Sequence, residues 1–277
     1  MTKRIYGIIG DPIEHSLSPA MHNAAFDAIG LDAVYLAFRV SQHEVGDAIK
    51  GAKSLGIRGL NVTIPLKEKA LAFVATEEVA TKIGAINTIE FRSGTPAGYN
   101  TDGLGSLKVL KETVGNLKGK TVLILGAGGA AKAIAYYLDT AGAKVTIANR
   151  TKERATRLVS NLRNANAISL AAAVLKDSIK DADILINTTS VGMHPNEDAT
   201  LVTADSMHPE LVVFDIVYNP IETKLLREAK KAGVKSIIDG VKMLVYQGAA
   251  SFTIWTQKEP PIGVMEKAVR TALNSDL

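Results

Sequence analysis

Leu123-Ile124-Leu125-Gly126-Ala127-Gly128-Gly129-Ala130-Ala131 carries the strongest chemical signal in the chain: an apolar run breaks into glycines and resumes in helix formers. Lys120 to Leu125 is aliphatic and β-branched enough for a strand buried on both faces. In the G-x-G-x-x-A pattern that follows, Gly126 takes the tight bend and Gly128 lets the main chain approach a pyrophosphate with no Cβ in the way. The small Ala131 then allows the helix to pack closely on the strand. A helix over Ala130 to Ala141 aims its free N–H groups and positive dipole end at the phosphates. A bare tight βα connection would use the same glycines, so the following strand has to decide between the two readings.

That strand, Lys144 to Ala148, runs into Asn149-Arg150-Thr151-Lys152, with Arg154 shortly after. A site built for NAD places a carboxylate near here to bind the ribose 2′-hydroxyl, and none ends this strand. Arg150 and Arg154 can instead fork onto a 2′-phosphate, with Asn149 and Thr151 as hydrogen-bonding partners, so the expected cofactor is NADP(H). The competing reading is a solvated basic helix start.

Four further polar clusters occupy the first part of the chain. In Ser16-Leu17-Ser18-Pro19, two hydroxyls stand before a helix that Pro19 can open; they suit a carboxylate ligand, and an N-cap would use one of them. In Asn61-Val62-Thr63-Ile64-Pro65-Leu66-Lys67, Asn61 and Thr63 alternate to one side at a strand end. Lys67 there works against the dipole of a helix it begins, which suggests placement for another purpose, although exposed lysines are common. Gly84-Ala85-Ile86-Asn87-Thr88 and Gly98-Tyr99-Asn100-Thr101-Asp102-Gly103 offer amides, hydroxyls and a carboxylate suited to a polyol. Taken separately, local turn chemistry accounts for both.

The elements that must position these residues are those of an α/β chain. Strands over Arg4 to Ile9, Ala33 to Arg39 and Gly59 to Ile64 alternate with helices over Pro19 to Ile29 and Glu44 to Leu55; a helix over Leu66 to Val79 and a strand at Thr88 to Phe91 follow. From Lys120 onward, strands at Thr121 to Leu125, Lys144 to Ala148, Ile184 to Asn187, Val212 to Ile216 and Ser236 to Asp239 form a doubly wound parallel sheet. Its helices are Ala130 to Ala141, Lys152 to Asn161 and Glu222 to Ala232. The expected division is a substrate domain over 1–103, completed by helices within 241–277, and a Rossmann-like nucleotide domain over 104–240. Gly98 to Gly105, the overlapping Gly103 to Ser106, and the stretch around Gly233 to Gly240 read as hinge segments that permit domain closure.

Composition sets the outer bounds. A chain of 277 residues, 47% hydrophobic and 22% charged, has the make-up of an ordinary soluble globular protein of one large or two smaller domains. The net charge of +4 and pI near 9.1 favour anionic ligands mildly. No basic stripe with interleaved aromatics accompanies them, so nucleic acid is not an expected partner. Cysteine is absent and the five histidines lack paired ligand spacing, so no metal is expected and a cytoplasmic location is. No apolar run is long enough for a membrane span. The sequence leaves a homodimer open.

In chain order, Ser16-Leu17-Ser18-Pro19, Asn61 to Lys67, Gly84 to Thr88, Asn100-Thr101-Asp102-Gly103, Gly126 to Ala130, Asn149-Arg150-Thr151 and Asp215-Ile216-Val217-Tyr218-Asn219-Pro220 together resemble the shikimate dehydrogenase family. The resemblance extends through Asp239-Gly240 and Met243-Leu244 to Gln247. It implies an oxidoreductase acting on a CH–OH group with NADP as acceptor, interconverting 3-dehydroshikimate and shikimate on the route to chorismate and the aromatic amino acids. By that resemblance, Ser16 and Ser18 hold the substrate carboxylate, Thr63, Asn87, Asp102, Tyr218 and Gln247 line the ring hydroxyls, and Asn61 is a further substrate-binding residue. Lys67 and Asp102 form the catalytic pair. Gly126, Ala127, Gly128, Gly129, Ala130, Asn149, Arg150, Thr151, Lys152, Arg154, Ile216 and Gly240 contact the cofactor. Many relatives carry methionine where Ile216 stands. A broader quinate/shikimate dehydrogenase that accepts NAD is the second reading, and a non-catalytic NADP sensor the third.

Overall fold

A computed structural model describes residues 3–92 and 94–275. The chain divides into two compact units, one formed by residues 1–105 and 245–277 and the other by 106–244.

The first unit is built on a six-stranded mixed sheet. Its strands are β1 (Arg4–Gly10), β2 (Ala33–Arg39), β3 (Gly59–Val62), β4 (Ala75–Thr76), β5 (Thr88–Glu90) and β6 (Ala97–Tyr99), in the order β2-β1-β3-β5-β6-β4. β2, β1 and β3 run parallel, and β5 lies antiparallel to both β3 and β6. α1 (Ser18–Ala28), α2 (Val45–Ser54) and α3 (Glu78–Ile83) belong to this unit, as do the start of α4 (Asp102–Val114), most of α9 (Gly240–Thr256) and all of α10 (Ile262–Ser275). Apolar side chains of β1, β3, β5 and α2, among them Ile9, Leu60, Val62, Ile89, Val45 and Ile49, fill one side of the core. Elsewhere in the unit an aromatic cluster joins Tyr6, Phe26 and Trp255, with Tyr6 at 5.1 Å from Phe26 and 5.3 Å from Trp255 between ring centroids. Such pairs add about 0.5–1.5 kcal/mol each beyond area burial.

The second unit contains β7 (Thr121–Leu125), β8 (Lys144–Asn149), β9 (Ala165–Ser169), β10 (Ile184–Asn187), β11 (Val212–Asp215) and β12 (Ser236–Ile238), all parallel, in the order β12-β11-β10-β7-β8-β9. Counted from β7, this is the dinucleotide-binding strand order, with its crevice outside the carboxyl ends of β7 and β10. α5 (Gly129–Thr140), α6 (Lys152–Val159), α7 (Ala172–Lys180) and α8 (Lys224–Lys231) connect the strands. The doubly wound sheet expected from the sequence is present.

Two local expectations of secondary structure fail. Leu66 to Val79 is not one helix: a 3-10 turn over Lys69–Phe73 gives way to the extended Ala75–Thr76. Backbone bonds from Ala75 N–H to Pro96 and from Glu77 N–H to Gly98 draw the segment to the sheet edge, so strand pairing overrides its helical pattern. The residues from Gly98 to Gly105 are not a loop either. Gly98 and Tyr99 pair within β6, and Asp102 opens α4, its N–H donating to Asn100 Oδ1 at 3.1 Å. Gly103 to Ser106 is therefore helix, and a Cβ on Gly105 would come within 2.8 Å of the Gln247 backbone nitrogen, so this glycine serves close packing of α4 on α9. In the stretch from Gly233 to Gly240, strand β12 occupies the middle and α9 begins at its end.

Candidate active site

Lys67 and Asp102, separated by a long stretch of sequence, meet in the first unit. Lys67 follows β3 by way of the Pro65 turn, and its carbonyl accepts the Ile86 N–H at 2.9 Å, which ties it to the chain entering β5. Its Nζ donates to Asp102 Oδ2 at 2.5 Å, with the two side chains 15% and 5% exposed. Asp102 sits in the first turn of α4, where the dipole favours a carboxylate. Its other oxygen accepts from Asn87 Nδ2 at 2.9 Å. The Asn87 amide also donates to Gln247 Oε1 at 3.2 Å, while Asn87 Oδ1 accepts the Thr101 backbone N–H at 2.8 Å. Lys67, Asp102, Asn87 and Gln247 thus form one bonded group drawn from four segments of chain.

Asn61 lies behind it and faces inward. Its Oδ1 accepts the Tyr35 hydroxyl at 2.7 Å, and its amide donates to the Asn87 carbonyl at 3.0 Å, Ser251 Oγ at 3.0 Å and Thr88 Oγ1 at 3.2 Å. A primary amide has two N–H donors, and these partners engage both. Asn61 is 4% exposed, so its geometry supports Asn87 from within. Tyr35, Thr88, Thr101 and Ser251 belong to the same buried network. Sequence reading passed over Tyr35 and Ser251 because each stands in an apolar run and only tertiary pairing reveals its partner.

Ser18 opens α1 and is buried, Pro19 follows it, and no side chain caps this helix; Ser16 Oγ accepts the Ser18 N–H at 3.3 Å. Thr63 stands at the end of β3, its N–H bonded to the Ile9 carbonyl. Tyr218 belongs to the second unit, on the segment after β11.

The glycine turn of the second unit has the geometry its pattern implies. Gly126 adopts φ +108° and a Cβ there would lie 2.7 Å from Thr188 Oγ1, so only glycine is tolerated. A Cβ on Gly128 would meet nothing within 4 Å, which marks open space over the main chain. The first bond inside α5 runs from the Lys132 N–H to the Gly128 carbonyl, and no side chain caps the helix. The N–H groups of Gly129, Ala130 and Ala131 thereby remain available to an anion. At the end of β8, Asn149 Nδ2 donates to the Thr151 carbonyl at 2.9 Å, ordering the turn into α6. Arg150, Thr151, Lys152 and Arg154 are exposed there, and no ion pair among the described residues involves the three cations. Ile216 and Gly240 adjoin, since a Cβ on Gly240 would come within 2.5 Å of the Ile216 carbonyl. These residues fit a dinucleotide bearing a 2′-phosphate.

A parallel sheet in dinucleotide-binding order, together with an α/β unit that carries a partly buried lysine–aspartate pair, defines the class: a nucleotide-dependent oxidoreductase with a Rossmann-like domain and a separate substrate domain. Three family models match the chain in succession: the shikimate dehydrogenase substrate binding domain over residues 8–89, shikimate / quinate 5-dehydrogenase over 108–237, and the shikimate 5′-dehydrogenase C-terminal domain over 240–270. The chain is 54% identical over 272 residues to the shikimate dehydrogenase (NADP(+)) of Methanococcoides burtonii, covering 98% of this chain and 99% of that one. A shikimate dehydrogenase solved in complex with NADP+ superposes with a TM-score of 0.92 at 42% identity, covering 98% of this chain and 96% of that one. The Thermus thermophilus shikimate 5-dehydrogenase solved with NADP(H) and shikimate gives 0.88 at 37% identity, covering 97% and 99%. The chain belongs to the shikimate dehydrogenase family.

Proposed function

We propose that the chain catalyses the reversible NADPH-dependent reduction of 3-dehydroshikimate to shikimate, with Lys67 as the acid and base and Asp102 as the group that orients it. The observation that carries the residue roles is the 2.5 Å bond between Lys67 and Asp102, held in turn by Asn87. When bound, the dinucleotide supplies or accepts the hydride. As the substrate carbonyl becomes an alcohol, negative charge develops on its oxygen, and the Lys67 ammonium stabilises that charge and donates a proton to it. Lys67 keeps enough exposure, 15%, to regain the proton from water. In the opposite direction, neutral Lys67 removes the hydroxyl proton as hydride departs.

Asp102 holds Lys67 through one oxygen and is fixed by Asn87 through the other, so the ammonium reaches the substrate in one orientation. Ser16 and Ser18, beside the start of α1, bind the substrate carboxylate. Thr63, Asn87, Gln247 and Tyr218 serve the ring hydroxyls, and Asn61 braces Asn87. Gly126 to Ala130 receive the pyrophosphate; Asn149, Arg150, Thr151, Lys152 and Arg154 receive the 2′-phosphate; Ile216 and Gly240 contact the rest of the cofactor.

Absorbance of the reduced nicotinamide tests this reading with purified protein, shikimate or quinate as substrate, and NADP or NAD as acceptor. Reduction of NADP with shikimate alone is expected. Turnover of quinate, or equal use of NAD, would favour the broader quinate/shikimate enzyme, and silence in all four mixtures would overturn the assignment. No helix among the described residues is long and apolar enough to cross a membrane. A cytoplasmic location and a homodimer complete the proposal; light scattering tests the latter, which requires twice the 29.4 kDa chain mass.

A further inference from the structure

β10 and β11 end side by side in Asn187 and Asp215, which are partners in the parallel register. Asp215 is fully buried, and donors converge on its carboxylate from three directions. Asn187 Nδ2 and the Val217 backbone N–H donate to Oδ1 at 2.9 and 3.0 Å, and the Thr223 hydroxyl donates to Oδ2 at 2.7 Å. On its other side, Asn187 Oδ1 accepts the Thr189 N–H at 3.1 Å and the Thr189 hydroxyl at 2.7 Å. Thr188, next in the chain, donates its hydroxyl to the Leu125 carbonyl at 2.6 Å. Thr188 and Thr189 are the residues that a Cβ on Gly126 would strike. A continuous set of bonds and contacts therefore links the glycine turn, through Asn187 and Asp215, to residues 216–217, whose carbonyls lie against Gly240.

We infer that ionised Asp215 is a positioning residue for the cofactor: it fixes residues 216–218 and, through Asn187, the Thr188–Thr189 loop, so that NADP(H) affinity depends on its charge. The inference rests on the cofactor roles proposed above for Gly126 to Ala130, Ile216 and Gly240. A carboxylate is acceptor-only and suits converging donors, whereas the neutral acid must turn its own O–H toward one of them. Burial opposes the charged form more strongly than the three hydrogen bonds favour it, which pushes the carboxyl up to about 6. Among the described residues, no charged side chain contributes to this shift. β10 and β12 contribute no ionisable residue, and the charged residues of α8 point elsewhere. Lys224 donates to the Asp198 carbonyl, Arg227 pairs with the Asp198 carboxylate, Glu228 accepts the Ala204 N–H, Lys230 pairs with Glu222, and Lys231 is exposed.

Fluorescence of NADPH, titrated with the purified enzyme at pH 8 and pH 5, tests this without turnover. Asp215→Asn, which mimics the neutral acid, should weaken NADPH binding about tenfold at pH 8. At pH 5 the two proteins should agree within about twofold, because the wild-type carboxyl is then mostly neutral. A phosphate monoester itself titrates near 6, but that change is common to both proteins and leaves their ratio unaffected. Thr223→Val, which removes one donor at constant volume, should shift the midpoint of the wild-type affinity loss to higher pH, and it keeps the test intact if Asp215→Asn does not fold. Equal weakening of Asp215→Asn at both pH values, or none at pH 8, overturns the inference. So does an unmoved midpoint in Thr223→Val. Wild-type protein that binds no NADPH at either pH overturns the cofactor reading itself, a separate result.

Discussion

Acid should loosen the first unit from its aromatic core, because His22 has nowhere to place a proton. The ring is fully buried, and neither nitrogen has a hydrogen-bond partner among the described residues. It stacks on Tyr35 with centroids 4.5 Å apart and planes 10° apart, with Trp255 at 5.4 Å and Phe26 at 6.2 Å. Burial pushes its pKa from 6.5 to about 3. Since the folded value lies below the unfolded one, the unfolded chain takes up the proton first. The stability tied to neutral His22 is thus complete above about pH 6.5 and lost as pH falls toward 3. Linkage gives a loss of about 2 kcal/mol between pH 7.5 and pH 5 and a limit near 5 kcal/mol at lower pH. His22→Phe keeps the stack and removes the titration; any overpacking it introduces is independent of pH. Trp255 is the only tryptophan in the chain and lies beside His22, so its fluorescence in urea reports on this unit. The wild-type transition should lose about 2 kcal/mol relative to His22→Phe when the buffer changes from pH 7.5 to 5. Parallel shifts in the two proteins would refute the reasoning.

Lys67→Ala should lower kcat by about 10²–10⁴ with a much smaller change in KM, the range for loss of a general acid, whereas equal changes in both would count against that role. Arg150→Ala should reduce the preference for NADP over NAD about tenfold, one exposed charge-assisted bond to the 2′-phosphate being lost; kcat/KM ratios measure it, and an unchanged ratio would move the 2′-phosphate contact elsewhere. Gly105→Ala should destabilise by about 1–3 kcal/mol in a urea titration, since its Cβ would sit 2.8 Å from the Gln247 nitrogen and force α4 and α9 apart.

Periodicity and glycine placement made most of the second unit legible in the sequence. A strand of a parallel sheet buried on both faces reads as a short apolar run, and β7, β10 and β11 do. β9 leaves no apolar run in the sequence, since every residue of Ala165–Ser169 is at least partly exposed, and α7 offers only Leu175 and Ile179 as a buried face. In the first unit, β4 and β6 are too short to show a pattern, and pairing between them created extended structure where the local sequence favours helix. Asp102 reads as a loop residue in the sequence because Asn100 and Thr101 could serve a turn; in the fold they lead into the helix that Asp102 opens. The meeting of Lys67 with Asp102 could not be had from spacing at all, since it depends on strand order in the sheet.

Burial by itself does not mark the residues that act. His22, Asp215 and Asp102 are all nearly inaccessible, at 0%, 0% and 3%, yet their surroundings differ in kind. His22 is enclosed by aromatic rings, and its pKa falls because nothing compensates the charge. Asp215 has the same desolvation offset in part by three neutral donors, so its titration comes near neutrality, where a proton can change what it holds. Asp102 is met by a cation and an amide together, an arrangement that aims the ammonium. Stabilising the first unit by replacing His22 should therefore leave turnover intact. Changes at Asp102 and Asp215 should separate, the first acting on kcat and the second on NADP(H) affinity. A His22→Phe enzyme with greatly reduced kcat, or an Asp102→Asn enzyme impaired only in cofactor binding, would show that partner chemistry does not sort these residues as argued.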